Sequence, residues 1–122
     1  LVVSTDTDSD GNRLNGMRQY RLHLTKEEVP PVKAFWSLTL YNDFQQLTYN
    51  KNNVYAIQSF ADSFIRNEDG SCDIFIQHEP PADSRFNWLP CPQETFSLMF
   101  RLYQPETRVL DGDWSPGPVK AR

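Results

Sequence analysis

The sequence predicts an all-β protein, an antiparallel, jelly-roll-like β-sandwich. Three observations carry that prediction. About seven or eight short segments alternate or run apolar between clusters of Asn, Asp, Gly and Pro. No segment of useful length has the 3.6-residue apolar period of an amphipathic helix. The connections are uneven and one is long and proline-rich, which favours a Greek-key sandwich over an up-and-down barrel.

Leu1, Val2 and Val3 open the chain with strand bias. Asp6-Thr7-Asp8-Ser9-Asp10-Gly11 then reads as an acidic hairpin turn with Asp-Gly at its tip. The same residues match the first half of a calcium loop, in which Asp6, Asp8 and Asp10 would converge on a hard cation. That match stops at Met17, which stands where a bidentate Glu should close the shell. Met17 to Leu24 alternates as the return strand, with Tyr20, Leu22 and Leu24 on one face and Arg21 and a solvated His23 on the other.

Pro30 to Tyr41 is the central strand, because large residues occupy both of its alternating faces: Trp36, Leu38 and Leu40 on one, Phe35 and Tyr41 on the other. Such a strand needs cover on one side and partial cover on the second. Asn42-Asp43 turns the chain, Leu47 and Tyr49 mark a weak strand, and Asn50 to Asn53 turns it again. Val54 to Ser59 is a further short strand, while Ala61 to Ile65 fits a helical turn and a strand equally well.

Asn67-Glu68-Asp69-Gly70 is a firm turn, followed by the strand Ser71 to His78 with Cys72, Ile74, Ile76 and His78 sharing a face. Glu79 to Pro92 is a proline-rich loop whose Phe86, Trp88 and Leu89 must lie against the body of the domain or against a partner. Thr95 to Tyr103 alternates most cleanly, with Phe96, Leu98, Phe100 and Leu102 inward and Ser97, Met99, Arg101 and Tyr103 outward. Val109-Leu110, the turn Asp111-Gly112-Asp113 and Trp114 lead to a proline-rich end that is not expected to form a strand.

The 122 residues fit one domain spanning 1–122, since a chain of this size buries roughly two-thirds of its unfolded surface. Twelve basic against sixteen acidic residues give a net charge of −4, with no basic stripe. Nucleic acid and anionic membrane are therefore poor partners. No apolar run approaches the ~20 residues of a membrane span, and no basic-then-apolar leader opens the chain. The start at Leu1 rather than Met suits a fragment or processed product, which leaves the compartment, periplasmic, secreted or cytoplasmic, undetermined. Cys72 and Cys91 are too few for a disulfide framework and lack the partners of a zinc site, so ordinary thiols are the default and no metal or cofactor is expected.

In combination, Asp8-Ser9-Asp10-Gly11, Leu14-Asn15-Gly16, Pro30 to Tyr41, Asp69-Gly70-Ser71, Ile76-Gln77-His78-Glu79, Asn87-Trp88-Leu89-Pro90, Arg101-Leu102-Tyr103 and Leu110-Asp111-Gly112 resemble a bacterial family of domains of unknown function, number 1214. The resemblance covers nearly the whole chain. It implies a jelly-roll sandwich, commonly the C-terminal domain beside a second one, and it implies no established activity. The chain departs from the family at Asn53 to Gln58, where an Arg and a Gly usual in relatives are absent, and at Cys91, where relatives carry a small residue.

The expected function is a non-catalytic interaction, ligand-binding or assembly module. Its partner would be a neighbouring domain, a second copy, or a small-molecule or carbohydrate ligand. The alternative is a carbohydrate-binding module or hydrolase-like enzyme built around His78, Asn87, Trp88 and Arg101, with Glu79 beside His78 as a carboxylate. Trp88 and Trp114, with Tyr41 and Tyr103, supply flat faces for sugar stacking, and an outward Arg101 can hold a carboxylate bidentately.

Overall fold

The structure is a computed structural model and describes residues 1–47, 50, 54–82 and 86–122. Among these, the chain runs β1 Val2–Thr5, β2 Tyr20–Leu24, β3 Val32–Asn42, β4 Ala56–Gln58, β5 Cys72–Gln77, β6 Asn87–Pro90, β7 Phe96–Pro105, a four-residue α1 Thr107–Leu110, and β8 Val119–Ala121. The strands form two four-stranded sheets, ordered β1-β7-β3-β4 and β6-β5-β2-β8, which pack as a β-sandwich. Every strand pairing is antiparallel except β5 with β6, which is parallel.

Alternation explains the core. Trp36, Leu38 and Leu40 of β3 and Phe96, Leu98, Phe100 and Leu102 of β7 are buried, and the second sheet meets them with Tyr20, Leu22, Leu24, Cys72, Ile74, Ile76 and Leu89. Each such large apolar side chain contributes about 1.5–3 kcal/mol on burial. Trp36, 2% exposed, is held edge-on by Phe64 at 5.4 Å and Phe100 at 5.8 Å. Both cysteines are buried and free, and burial pushes their thiols up to about 12.

The crossing after the acidic turn differs from expectation. Residues 6–13 do fold back, with Thr7 bridged to Arg13, but β2 does not return beside β1. Instead β1 pairs with β7 and β2 joins the other sheet. The cause lies at 14–16: Leu14 is fully buried, the Gly16 N–H donates to the Glu94 carbonyl at 3.0 Å, and a Cβ at Gly16 would lie 1.5 Å from the Pro92 carbonyl oxygen. Only glycine allows that approach, and it steers the chain across the sandwich.

Two strands appear where none was expected. β6 forms inside the proline-rich stretch because Asn87 pegs it: its side-chain amide bonds the Ile65 backbone and the Asp73 carbonyl, while the Trp88 indole donates to the Gln77 carbonyl at 2.9 Å. β8 forms in the tail because Val119 is buried opposite Leu22. The strand expected over Val54 to Ser59 is shorter, Ala56–Gln58, and Ala61 to Ile65 is a run of turns. The weak strand around Leu47 and Tyr49 and the turn after it fall mostly outside the described residues, at 48, 49 and 51–53.

Candidate functional site

On the outer face of the first sheet, strand register builds a ladder of cross-strand neighbours. Tyr41 lies opposite Ser97, Thr39 opposite Met99, Ser37 opposite Arg101 and Phe35 opposite Tyr103. β1 adds Val2 beside Arg101 and Ser4 beside Met99, and β4 adds Gln58 beside Ser37. Ser37 and Thr39 face outward yet are buried, so their taller neighbours cover them. At one end of the ladder Phe35 stacks on Tyr103, centroids 4.3 Å apart at 28°, and Phe60 meets Phe35 edge-on at 5.0 Å. At the other end opens a basin of about 440 Å³ whose lining includes Ser4, Asp6, Arg13, Tyr41, Asp43 and Arg101, together with Thr5, Asn42, Gln45, Ser97 and Met99.

Charge in the basin is arranged unevenly. Arg13 lies 2.6 Å from Asp43 and 3.6 Å from Asp6, and also donates to the Phe96 carbonyl at 3.1 Å. The Thr95 hydroxyl foremost, with Arg13 adding to it, holds the Asp43 carboxyl below its ordinary value against the opposing effect of burial. Arg101 has no such partner. Its guanidinium lies 5.5 Å from the Tyr41 ring centroid, and among the described residues it has no hydrogen bond or ion pair. A guanidinium is permanently charged and offers five donors, so here they remain open to a ligand.

The remaining residues singled out in the sequence do not join Arg101. The His78 Nδ1 sits 2.8 Å from the Cys91 carbonyl oxygen, and its Nε2 is 3.7 Å from Glu79, both side chains reaching solvent. Asn87 is buried with its amide fully engaged, and with Trp88 it borders a separate groove of about 590 Å³ between β4 and β6. Neither His78 nor Glu79 lines either cavity. Trp114 donates to the Glu28 carbonyl at 3.0 Å and packs edge-on to Phe100 at 6.5 Å, closing one end of the core. Thus the cluster of His78, Asn87 and Arg101 is not assembled: its members lie on different sheets and faces.

The acidic turn is likewise turned inward. Asp6 faces Arg13, and Asp8 Oδ1 accepts the Asp10 and Asn12 N–H groups at 2.9 and 3.0 Å. Asp8 Oδ2 is sealed from solvent and has no hydrogen-bond partner among the described residues. Among the described residues no group of three or more His, Cys, Asp or Glu side chains could hold a metal ion.

One constellation escaped the sequence reading. Asp73, 5% exposed on the outer face of the second sheet, accepts from Arg21 at 2.9 and 2.7 Å, from His23 Nδ1 at 2.7 Å and from Asn67 at 3.1 Å. Burial alone would raise its carboxyl, but the bonds from His23, Asn67 and Arg21, with the charge of Arg21, bring it below the ordinary value. His23 is therefore a bonded partner rather than a merely solvated side chain. The only sequence signal was the turn Asn67 to Gly70, whose Asp69 caps Ser71 and places Asn67 beside Asp73.

Comparison with known proteins gives fold and family. A crystal structure of the VPA0106 protein from Vibrio parahaemolyticus superposes with a TM-score of 0.86 at 24% identity, covering 99% of this chain and 30% of that one. An uncharacterized protein from Burkholderia cenocepacia superposes with a TM-score of 0.60 at 15% identity, covering 99% of this chain and 28% of that one. The chain thus spans less than a third of either solved protein, and at these identities the likeness is one of fold. No curated protein matches the chain. The family described as "Protein of unknown function (DUF1214)" matches residues 1–107, and the chain belongs to that family.

Proposed function

We propose that this domain is a non-catalytic binding module that holds a small anionic ligand in the basin on the outer face of its first sheet. The observation that carries the reading is Arg101, a guanidinium with no ion pair among the described residues, set over Tyr41 at the edge of a cavity. An arginine left open in a basin is suited to bidentate pairing with a carboxylate or other oxyanion. The catalytic alternative draws less support. In this basin the carboxylate of Asp43 is held in its ionised form by Thr95 and Arg13, which makes it a poor proton donor near neutral pH. His78, the proposed acid–base group, lies elsewhere with its Nδ1 tied to the Cys91 carbonyl.

The test is a titration of the folded protein with acetate, succinate and inorganic phosphate, followed by amide NMR shifts and calorimetry. Saturable shifts confined to Ser4, Tyr41, Ser97 and Arg101, lost in Arg101→Ala, support the reading. An absence of any saturable shift at this face for every anion tried would remove it.

A second reading is favoured by one observation: Phe60, 60% exposed, and Tyr103, 42% exposed, both pack on Phe35 and form an apolar ledge at the end of the ladder opposite the basin. Such a ledge suits contact with a neighbouring domain or a second copy of the chain. Light scattering of the wild type and of Phe60→Ser across concentration tests it, a concentration-independent monomer counting against a second copy.

A further inference from the structure

We infer that the ligand of the basin is a small amino-carboxylate zwitterion, with its carboxylate on Arg101 and its ammonium group on Asp6. The inference rests on the reading that Arg101 takes an oxyanion, and it adds what the other end of that ligand carries. Charge, position and complementarity select it.

The charged lining of the basin is two arginines, Arg13 and Arg101, and two aspartates, Asp6 and Asp43, so it carries no net charge. One pair is closed. Arg13 donates to Asp43 at 2.6 Å, and the same carboxylate accepts from the Thr95 hydroxyl. The other two groups are open. The Asp6 carboxylate stands 3.6 Å from Arg13 and has no hydrogen bond among the described residues, while Arg101 has the Tyr41 ring alone. Once Arg13 and Asp43 are set aside, the lining offers one cation and one carboxylate to a ligand.

Register brings these two to the same end of the sheet. Arg101 lies opposite Ser37, yet its guanidinium is 5.5 Å from the ring of Tyr41, which lies opposite Ser97. The side chain therefore runs along the outer face toward Ser97. At that end β1 finishes at Thr5, opposite Leu98, and the next residue is Asp6. Both groups line the one basin of about 440 Å³, a volume within the range of small-molecule sites.

Complementarity decides the class. A lone oxyanion pairs with Arg101 and is repelled by Asp6, and a phosphate dianion is repelled more strongly. A lone amine meets the reverse. A molecule with both charges sets each against its opposite, a carboxylate matching the guanidinium fork and an ammonium giving its donors to a carboxylate that only accepts. The Asp6 side chain is 59% exposed, so water screens its share and the carboxylate end supplies most of the affinity.

The test uses the intact folded protein with glycine, 4-aminobutyrate and 6-aminohexanoate, each beside its amine-free match, acetate, butyrate and hexanoate, and with inorganic phosphate. Calorimetry reads affinity and amide NMR shifts read location. The best of the three amino acids is expected to bind at least about fivefold more tightly than its match, the return of one charge-assisted hydrogen bond to a half-exposed carboxylate. Which of the three is best measures the spacing of the two groups. Arg101→Ala is expected to weaken amino acid and match alike by roughly tenfold or more. Asp6→Asn is expected to bring the amino acid down to the level of its match without weakening the match. Arg13 stays on Asp43 and the Phe96 carbonyl in that variant. Retained amide dispersion confirms that each variant folds.

If no amino acid exceeds its match, if phosphate binds most tightly, or if Asp6→Asn leaves the preference intact, the zwitterion is overturned while an anion site at Arg101 stands. Binding that survives Arg101→Ala undiminished overturns both. Failure of every probe at this face also overturns both.

Discussion

The two outer faces of the sandwich each carry a polar centre with an arginine over an aromatic ring, and they use those groups in opposite ways. On the second sheet everything is engaged. Asp73 holds Arg21, His23 and Asn67, while Arg122 lies 4.1 Å from the Phe75 ring centroid and hydrogen-bonds Gln77. On the first sheet Arg101 has the Tyr41 ring and nothing else among the described residues, beside an open basin. The difference separates charge that holds a fold together from charge that remains free for a partner. Burial is the deciding variable: a carboxylate taken out of water must collect donors, whereas a guanidinium at a basin's edge keeps its water and stays available.

The largest expected effect comes from breaking the engaged face. Asp73→Ala leaves three donors without their acceptor and should destabilise the fold by about 2 kcal/mol, since Arg21 and His23 reach solvent and water recovers part of the loss. Urea unfolding measures this. A midpoint within error of wild type would mean that the Asp73 network adds nothing to the fold.

Acid sharpens the same contrast. Asp73 has a folded-state value below its ordinary 3.8, so its contribution is complete above 3.8 and fades as pH falls through the lowered folded value. Stability at pH 3 relative to pH 6 should therefore fall less in Asp73→Asn than in wild type. Equal losses in the two proteins would show that other carboxylates govern acid unfolding.

How much of this was readable in advance follows from what alternation can and cannot encode. β3 and β7 are long and alternate, so the inward Trp36 and Leu98 and the outward Arg101 and Tyr103 could be assigned by parity. Parity does not say which strands are neighbours. His23 and Asp73 lie far apart in sequence and meet only because β2 pairs with β5, so their bond had no local signature. β6 was hidden for another reason: its pairing depends on the side chains of Asn87 and Trp88 reaching other backbones, while the prolines around it read as loop. The basin was half legible. Arg101 was singled out, but Arg13 and Asp43 come from turns thirty residues apart, and their meeting has no local signature.

An intermediate effect belongs to Arg122→Ala. Its guanidinium, on an exposed residue, covers the buried Phe75 ring and also bonds Gln77, so removing it should cost about 1 kcal/mol. Thermal melts and urea midpoints read the change, and a neutral result would place Arg122 with Arg101 as a surface charge of no structural weight.

The smallest stability effect should be that of Arg101→Ala, within about 0.5 kcal/mol of wild type, because the half-buried, outward side chain makes one ring contact at 5.5 Å and, among the described residues, no hydrogen bond. Paired with Arg122→Ala, this variant decides whether the two faces differ in kind. Both arginines sit over rings, so a stacking role alone predicts similar losses for both. The unequal result requires that Arg101 be dispensable to folding while dominating anion binding. Because the two arginines lie on different sheets with no shared partner, the double variant should show the sum of the single effects. A loss at Arg101 as large as that at Arg122 would mean that its guanidinium stabilises the sheet, and the basin would lose the group that gives it an affinity for anions.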